Sequence, residues 1–370
     1  MVGTVIVAGA RTPMGRAGGA LRSLEPAALG VAASRAALQR SGLPPDRVQH
    51  VVLGQVMQSD IAFGPARVTA LDAGIPSHVP ATTVQRACIS GFTAITVADQ
   101  MIRDGVCDVV LAIGQESLSQ VKDAADNTIF NVIADLAEQT DRFNEKAGID
   151  RAAQDDYTVS SHERSRTAQS AGRLREEIVS VELATIGAPS SVIDDDEGID
   201  PTAAEWIGRM NPVRGPGGTM TYATIAPAAD GACALVLMRK DLATAEKIDW
   251  LAEIGAHTAT AGPQHEPHTQ PAAALGRVLD HAGLRHTDLA WIEINEAMAS
   301  IPIHTIRALG LNPAVVNAEG GALALGHPAG MSGARIVLHL AYALRRRGGG
   351  IGAAAIAGDG GQGAALILNA

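Results

Sequence analysis

The chain repeats itself. The run Leu38-Gln39-Arg40-Ser41-Gly42-Leu43, a polar stretch and Val51-Val52-Leu53-Gly54 is answered by Leu279-Asp280-His281-Ala282-Gly283-Leu284, a polar stretch and Ile292-Glu293-Ile294-Asn295, displaced by 241 positions (279 minus 38). Each copy reads as a helix, a glycine stop, a turn and a strand. The opening strands match more loosely, Gly9-Ala10-Arg11-Thr12 against Gly255-Ala256-His257-Thr258. A glycine-rich turn and a long apolar helix also recur, over residues 88–103 and 327–344. They end near Gly105 and Gly348, and hydrophobic strands at 109–113 and 353–357 follow. Alternating strands and helices in duplicate predict an α/β fold of two similar halves.

Composition narrows the function. At 370 residues the chain exceeds what one hydrophobic core fills, and 46% hydrophobic with 18% charged residues excludes wholesale disorder. A formal net charge of −10 gives no general attraction to nucleic acid or to an anionic membrane. With 3% aromatic residues there is little to stack on bases. The longest apolar runs fall far short of the ~20 residues that span a bilayer. Residues 1–9 are a short apolar run without a basic start, so a cytoplasmic address is expected. The odd number of cysteines, Cys88, Cys107 and Cys233, forms no disulfide framework and suits a reducing compartment.

The region between the halves is different in character. It is rich in charge and in helix formers such as residues 152–171. It carries the acidic run Asp194-Asp195-Asp196-Glu197 and a proline- and glycine-bearing stretch, 211–218, both of which read as surface loops. The expected division is an N-terminal half over residues 1–118, completed by about 227–245; an inserted loop unit over 119–226; and a C-terminal half over 246–370.

Cys88 falls where a strand, residues 82–84, turns into a helix beginning near Ile89, with Gly91 allowing close backbone approach. A helix N-terminus offers free amide hydrogens and the positive end of a dipole, which favour a thiolate and any oxyanion beside it. The alternative is a buried structural cysteine, a reading that suits Cys107 and Cys233. His327 lies in the glycine-dense run 317–335, just before a helix, as the counterpart of Cys88 in the repeat. Two facing halves would bring thiol and imidazole together, and the imidazole can take the thiol proton. A lone histidine is usually a hydrogen-bonded structural group, but the surrounding glycines favour a site. Asn295 ends a strand that begins at Trp291, on the edge where α/β sites collect, and could orient a water or hold an oxyanion.

The segments around Cys88, Asn295 and His327, the block Gly326-His327-Pro328-Ala329-Gly330-Met331-Ser332-Gly333-Ala334-Arg335, and the closing Gly360-Gly361-Gln362-Gly363 resemble the thiolase family of acyl-coenzyme A acyltransferases. The resemblance runs from Val5 nearly to the last residue. It implies a thiolase fold, two duplicated βαβαβαββ halves in a five-layer α/β/α/β/α arrangement, with the middle region covering the pantetheine arm of coenzyme A. It implies acyl-CoA as substrate, no permanently bound cofactor, no metal, and a homodimer or a dimer of dimers. It gives Cys88 as the nucleophile that becomes a thioester, His327 as its activator and later an oxyanion donor, and Asn295 as the holder of a water in the same oxyanion hole. The amides of Cys88 and Asp359 match a second oxyanion hole. The reaction would be reversible Claisen condensation of acyl-CoAs or cleavage of a 3-ketoacyl-CoA.

Several positions depart from the family pattern. The family's second cysteine, which moves the α-proton, is replaced by Ala357 in the run Ala357-Gly358-Asp359-Gly360-Gly361-Gln362-Gly363. Loss of a general base costs typically ~10²–10⁴-fold, so condensation is expected to be impaired while acylation of Cys88 survives. Asp359 stands where the family has glycine. It is a candidate substitute base, although an unpaired carboxylate beside an oxyanion hole opposes the purpose of that hole, and no catalytic role is the favoured reading. The glycine spacing at 358–363 also matches a dinucleotide fingerprint, but a strand follows where a helix is needed. Residues 119–148 read as a shortened excursion, which favours a plain dimer, and the segment Tyr222-Ala223-Thr224-Ile225-Ala226-Pro227 alters the pantetheine contacts. Met298 replaces an aromatic residue of the acyl wall. Alternatives to the Claisen reading are an acyltransferase or thioester hydrolase working through Cys88, and a non-catalytic subunit that binds acyl-CoA or a partner enzyme.

Overall fold

The computed structural model describes residues 2–58, 64–121, 128–183 and 190–370, with the backbone alone over 128–134. The strands are β1 (Thr4–Arg11), β2 (Gly15–Arg16), β3 (His50–Gly54), β4 (Ala81–Val84), β5 (Val109–Ser117), β6 (Val181–Leu183), β7 (Ser191–Ile193), β8 (Ala229–Arg239), β9 (Ala252–Ala261), β10 (Trp291–Ile294), β11 (Ile351–Gly358) and β12 (Gln362–Asn369). The helices are α1 (Pro26–Ser41), α2 (Pro65–Asp72), α3 (Ser90–Arg103), α4 (Thr128–Ala147), α5 (Arg151–Ser170), α6 (Ala203–Trp206), α7 (Lys240–Glu246), α8 (Gln270–Ala282), α9 (Ser300–Leu309), α10 (Ala322–Leu325) and α11 (Ala329–Arg346).

The duplication is visible in the hydrogen bonding. One half runs β1-β8-β5-β3-β4 and the other β9-β12-β11-β10. In both, the first three strands are antiparallel and the next step is parallel. Where β4 flanks β3 in parallel, Val316 bridges Ile292 of β10 in parallel. The halves join where β1 pairs β9 antiparallel, with Thr4 opposite Ile254 and Ile6 opposite Ala252. The recurring block maps onto α1 and α8. Each ends at a glycine in the left-handed region, Gly42 (φ 69°) and Gly283 (φ 66°), where any side chain would be strained.

Three apolar clusters fill the spaces between the layers. Residues of α1, α2 and one face of the N-terminal half form the first, and residues of α8, α9 and the C-terminal half form the second. The third, between the half-sheets, is built on α3 and α11, with Phe92, Ile95, Met331 and Leu338 fully buried. The result is five layers, α/β/α/β/α. Strands covered on both faces carry no polar alternation, as in β5 and β8. In the central layer the two helices touch backbone to backbone. A Cβ on Gly91 would lie 2.5 Å from the Gly330 carbonyl oxygen, and one on Gly333 would lie 2.5 Å from the Phe92 nitrogen.

The acidic run differs from its sequence reading. Asp196 is buried and accepts hydrogen bonds from Arg11 Nη1 and Nη2 at 2.7 and 2.9 Å, while Glu177 accepts from Arg11 Nε at 2.7 Å. A fully buried guanidinium needs paired carboxylates, and the middle region supplies both. The stretch read as a shortened excursion lies partly at residues 122–127, outside the described residues.

Candidate active site

The Cys88 loop is built by local strain and local hydrogen bonds. Ala87 occupies the left-handed region (φ 46°), a conformation that costs a non-glycine residue about 1 kcal/mol or more and is held only by its surroundings. Ser90 supplies the hold: its hydroxyl accepts from the Arg86 amide at 2.8 Å and donates to the Ala87 carbonyl at 2.6 Å. Arg86 then ties the loop to the β11–β12 hairpin, its Nε donating to Gln362 Oε1 at 2.9 Å. Gly358 completes the fit, since a Cβ there would lie 2.8 Å from Ile89 Cγ1. The sulfur therefore stands two residues before α3, partly buried, beside the end of β11.

From the opposite half, His327 Nε2 lies 3.2 Å from Cys88 Sγ. The ring's other nitrogen, Nδ1, is 2.7 Å from Ser332 Oγ, and that hydroxyl reaches the Pro328 carbonyl at 3.0 Å. A hydroxyl has one proton. If it donates to Pro328, it accepts from Nδ1–H, and Nε2 is left with its lone pair facing the thiol. Ser332 thus orients the ring. Burial, with the charge of Arg335 adding to it, lowers the His327 pKa to about 4. The imidazole is neutral at physiological pH and free to take a proton.

The sequence reading expects the helix dipole to favour a thiolate at Cys88, and the structure places the balance elsewhere. Burial pushes the thiol pKa up, and the carboxylates of Asp359 and Glu116 push it further. The pair rests as a neutral thiol and a neutral imidazole within reach of each other for proton transfer.

Asn295 follows β10, its amide donating to the Ala355 carbonyl at 3.0 Å. Its side chain is 1% exposed, and neither Oδ1 nor Nδ2 has a partner among the described residues. An unpaired buried amide costs about 1–3 kcal/mol, so the position is one where a ligand or water restores what the fold leaves unmade. Next to it, Glu296 accepts from Tyr157 Oη (3.0 Å), Ser161 Oγ (2.7 Å), Asn317 Nδ2 (2.9 Å) and the Leu323 amide (3.2 Å). The segment Thr224–Ala228 then links this loop to His327: the Ala226 amide donates to the Ala297 carbonyl at 3.0 Å, and the His327 amide to the Pro227 carbonyl at 2.8 Å.

Ala357 is buried near the end of β11, opposite Gly363 in register and in the same apolar cluster as Met298. A methyl group there offers nothing to a proton. Asp359, in the turn after it, is exposed at the surface, yet the adjoining protein removes enough water to raise its pKa. Met298 Sδ accepts from Thr140 Oγ1 at 3.1 Å, and that hydroxyl is 3.2 Å from Nε2 of the buried His268. Sequence reasoning singled out neither Ser332, Glu116, Glu296 nor His268. For Ser332 there was a usable signal, a hydroxyl five residues after the histidine on the first turn of a helix. The others are brought in by tertiary packing.

Comparison with known proteins gives consistent results. Residues 4–241 match the family model for the thiolase N-terminal domain, and residues 248–370 that for the thiolase C-terminal domain. A probable acetyl-CoA acetyltransferase of Mycobacterium tuberculosis is 40% identical, with 100% of both chains covered. The mitochondrial acetyl-CoA acetyltransferase of Mus musculus is 36% identical, over 98% of this chain and 90% of that protein. The crystal structure of human mitochondrial 3-ketoacyl-CoA thiolase superposes with a TM-score of 0.93 at 32% identity, covering 100% of this chain and 99% of that one. A second structure of that human enzyme, in complex with CoA, superposes with a TM-score of 0.92.

Proposed function

The chain belongs to the thiolase family of acyltransferases, and on that premise we propose that it works through an acyl-thioester on Cys88. The observation that carries this reading is the 3.2 Å contact between Cys88 Sγ and His327 Nε2. As the sulfur attacks the acyl-CoA carbonyl, its proton passes to Nε2. The carbon–sulfur bond to coenzyme A then breaks, and the coenzyme A sulfur takes that proton. Asn295 supports the oxyanion, with the amides of Cys88 and Asp359 forming a second hole.

The carbon–carbon step needs an α-proton to be removed, and Ala357 has no group that accepts one. Claisen condensation and its reverse therefore run slowly in this chain, by the ~10²–10⁴-fold that a general base supplies. Ala357 also favours a second reading, transfer of the acyl group to another acceptor or to water. A purely non-catalytic role is disfavoured, because a scaffold gains nothing from keeping Cys88, His327 and Ser332 in register. The remaining features are a homodimer in the cytoplasm, with residues 1–118 and 227–245 as one half, 246–370 as the other, and 119–226 as the unit that covers the pantetheine arm.

The deciding assay incubates the protein with acetoacetyl-CoA and coenzyme A and follows acetyl-CoA production beside free acetoacetate. Slow thiolysis supports the thiolase reading. Hydrolysis without thiolysis supports the second, and neither product overturns both.

A further inference from the structure

Behind the Cys88–His327 pair lies a carboxylate that the mechanism above does not use. Glu116, in β5, is fully buried. Its Oε2 accepts from the Val56 amide at 2.9 Å and the Gly330 amide at 3.0 Å, and its Oε1 accepts from the Met57 amide at 3.2 Å. One side chain thus fastens the segment after β3 to the first turn of α11, three residues beyond His327. There is no slack in this arrangement, since a Cβ on Gly330 would lie 2.9 Å from Glu116 Oε2 and 2.5 Å from the Gln115 carbonyl oxygen. An ionised carboxylate at the head of an 18-residue helix is also favoured by the helix dipole.

The charged and titratable groups around it are few. On β8 is Asp230, already engaged by Ser117 and Ser119. Before α3 is Cys88, which feels the Glu116 charge, and Arg335 of α11 acts on His327. No cation forms an ion pair with Glu116 among the described residues, so its charge is felt at Cys88.

We propose that Glu116 is a positioning residue whose three amide contacts fix α11 and His327 against Cys88, and whose buried carboxylate, without a paired cation among the described residues, disfavours a thiolate there. This rests on Cys88 being the nucleophile. The consequence is an enzyme whose sulfur resists stray electrophiles at rest and gives up its proton to His327 only when an acyl group is in place. Burial, the largest influence, raises the Glu116 pKa to about 7, against the three amides that favour the anion, so the control operates within the physiological range.

Alkylation of Cys88 by iodoacetamide, read from the mass of the Cys88 peptide in the intact protein without substrate, tests this apart from acyl transfer. For the wild type, the logarithm of the rate rises with pH, flattens across about pH 7 as Glu116 ionises, and rises again on a parallel limb about tenfold lower, one pKa unit being a factor of ten. For Glu116→Gln, the low-pH limb continues unbroken, and the variant is alkylated about tenfold faster at pH 8.5. Should that variant fail to fold, the wild-type profile alone decides. A single unbroken limb in the wild type, or coincident profiles for wild type and a folded variant, overturns the proposal whether or not the protein transfers acyl groups.

Discussion

Cys88 Sγ and His327 Nε2 lie 3.2 Å apart although 239 residues separate them in the chain. Each stands just before a long helix, α3 or α11, and the two helices pack backbone to backbone in the central layer. The contact follows from the duplication, each half contributing one member of the pair.

Replacing His327 by Asn keeps a polar side chain and removes the base. Acylation of Cys88 is expected to fall by ~10²–10⁴-fold, measured as the rate of thioester formation with acetyl-CoA. Ser332→Ala is expected to cost less, since the imidazole remains and loses only its orientation. Equal losses in the two variants contradict the role given to Ser332.

Ala357→Cys restores a thiol at the end of β11. Thiolysis of acetoacetyl-CoA is expected to rise, up to the ~10²-fold or more that a general base contributes, with little change in the acylation rate. No gain in a correctly folded variant indicates that the cleavage step is limited elsewhere in the site.

Asp359→Asn removes a charge that helps to raise the Cys88 pKa. The thiol is expected to alkylate faster at pH 8 while the acyl-transfer rate stays within about twofold. A large loss of acetoacetyl-CoA thiolysis instead makes Asp359 the base.

Much of this was legible in the sequence. The repeat of helix, glycine stop and strand located α1 and α8 with their partner strands, and the glycine-dense run 317–335 marked His327. What the sequence did not disclose was the electrostatics. Cys88 at the head of α3 reads as a dipole-stabilised thiolate, but its charge state is set by burial and by Asp359 and Glu116, far off in the chain. Asp196 reads as one of four exposed acids because nothing local shows that Arg11, 185 residues away, is buried against it.

The two buried imidazoles of His268 and His327 have folded-state pKa values of about 4, both lowered first by burial. The unfolded chain, with rings near 6.5, takes up protons before the folded one does. The stability from keeping these rings neutral is full above about pH 6.5, is lost progressively as pH falls towards 4, and does not change further below it. For His268 the loss is expected to be up to about 3 kcal/mol. Urea midpoints between pH 7 and 4 measure it, and a smaller slope for His268→Gln assigns it. Identical slopes contradict the assignment.

Gly91→Ala places a methyl group 2.5 Å from the Gly330 carbonyl oxygen, backbone that cannot step aside without moving α11. A destabilisation of about 1–3 kcal/mol is expected, together with slower acylation as His327 shifts from Cys88. Thermal denaturation and the acylation rate check the two effects in one variant.

The most direct measurement is the mass of the Cys88 peptide after brief exposure to acetyl-CoA and rapid acid quench. One acetyl group on that peptide is predicted, absent in Cys88→Ala and strongly reduced in His327→Asn. An unmodified Cys88 with acetate or acetyl transfer still produced, or an acetyl group carried by another residue, contradicts the account.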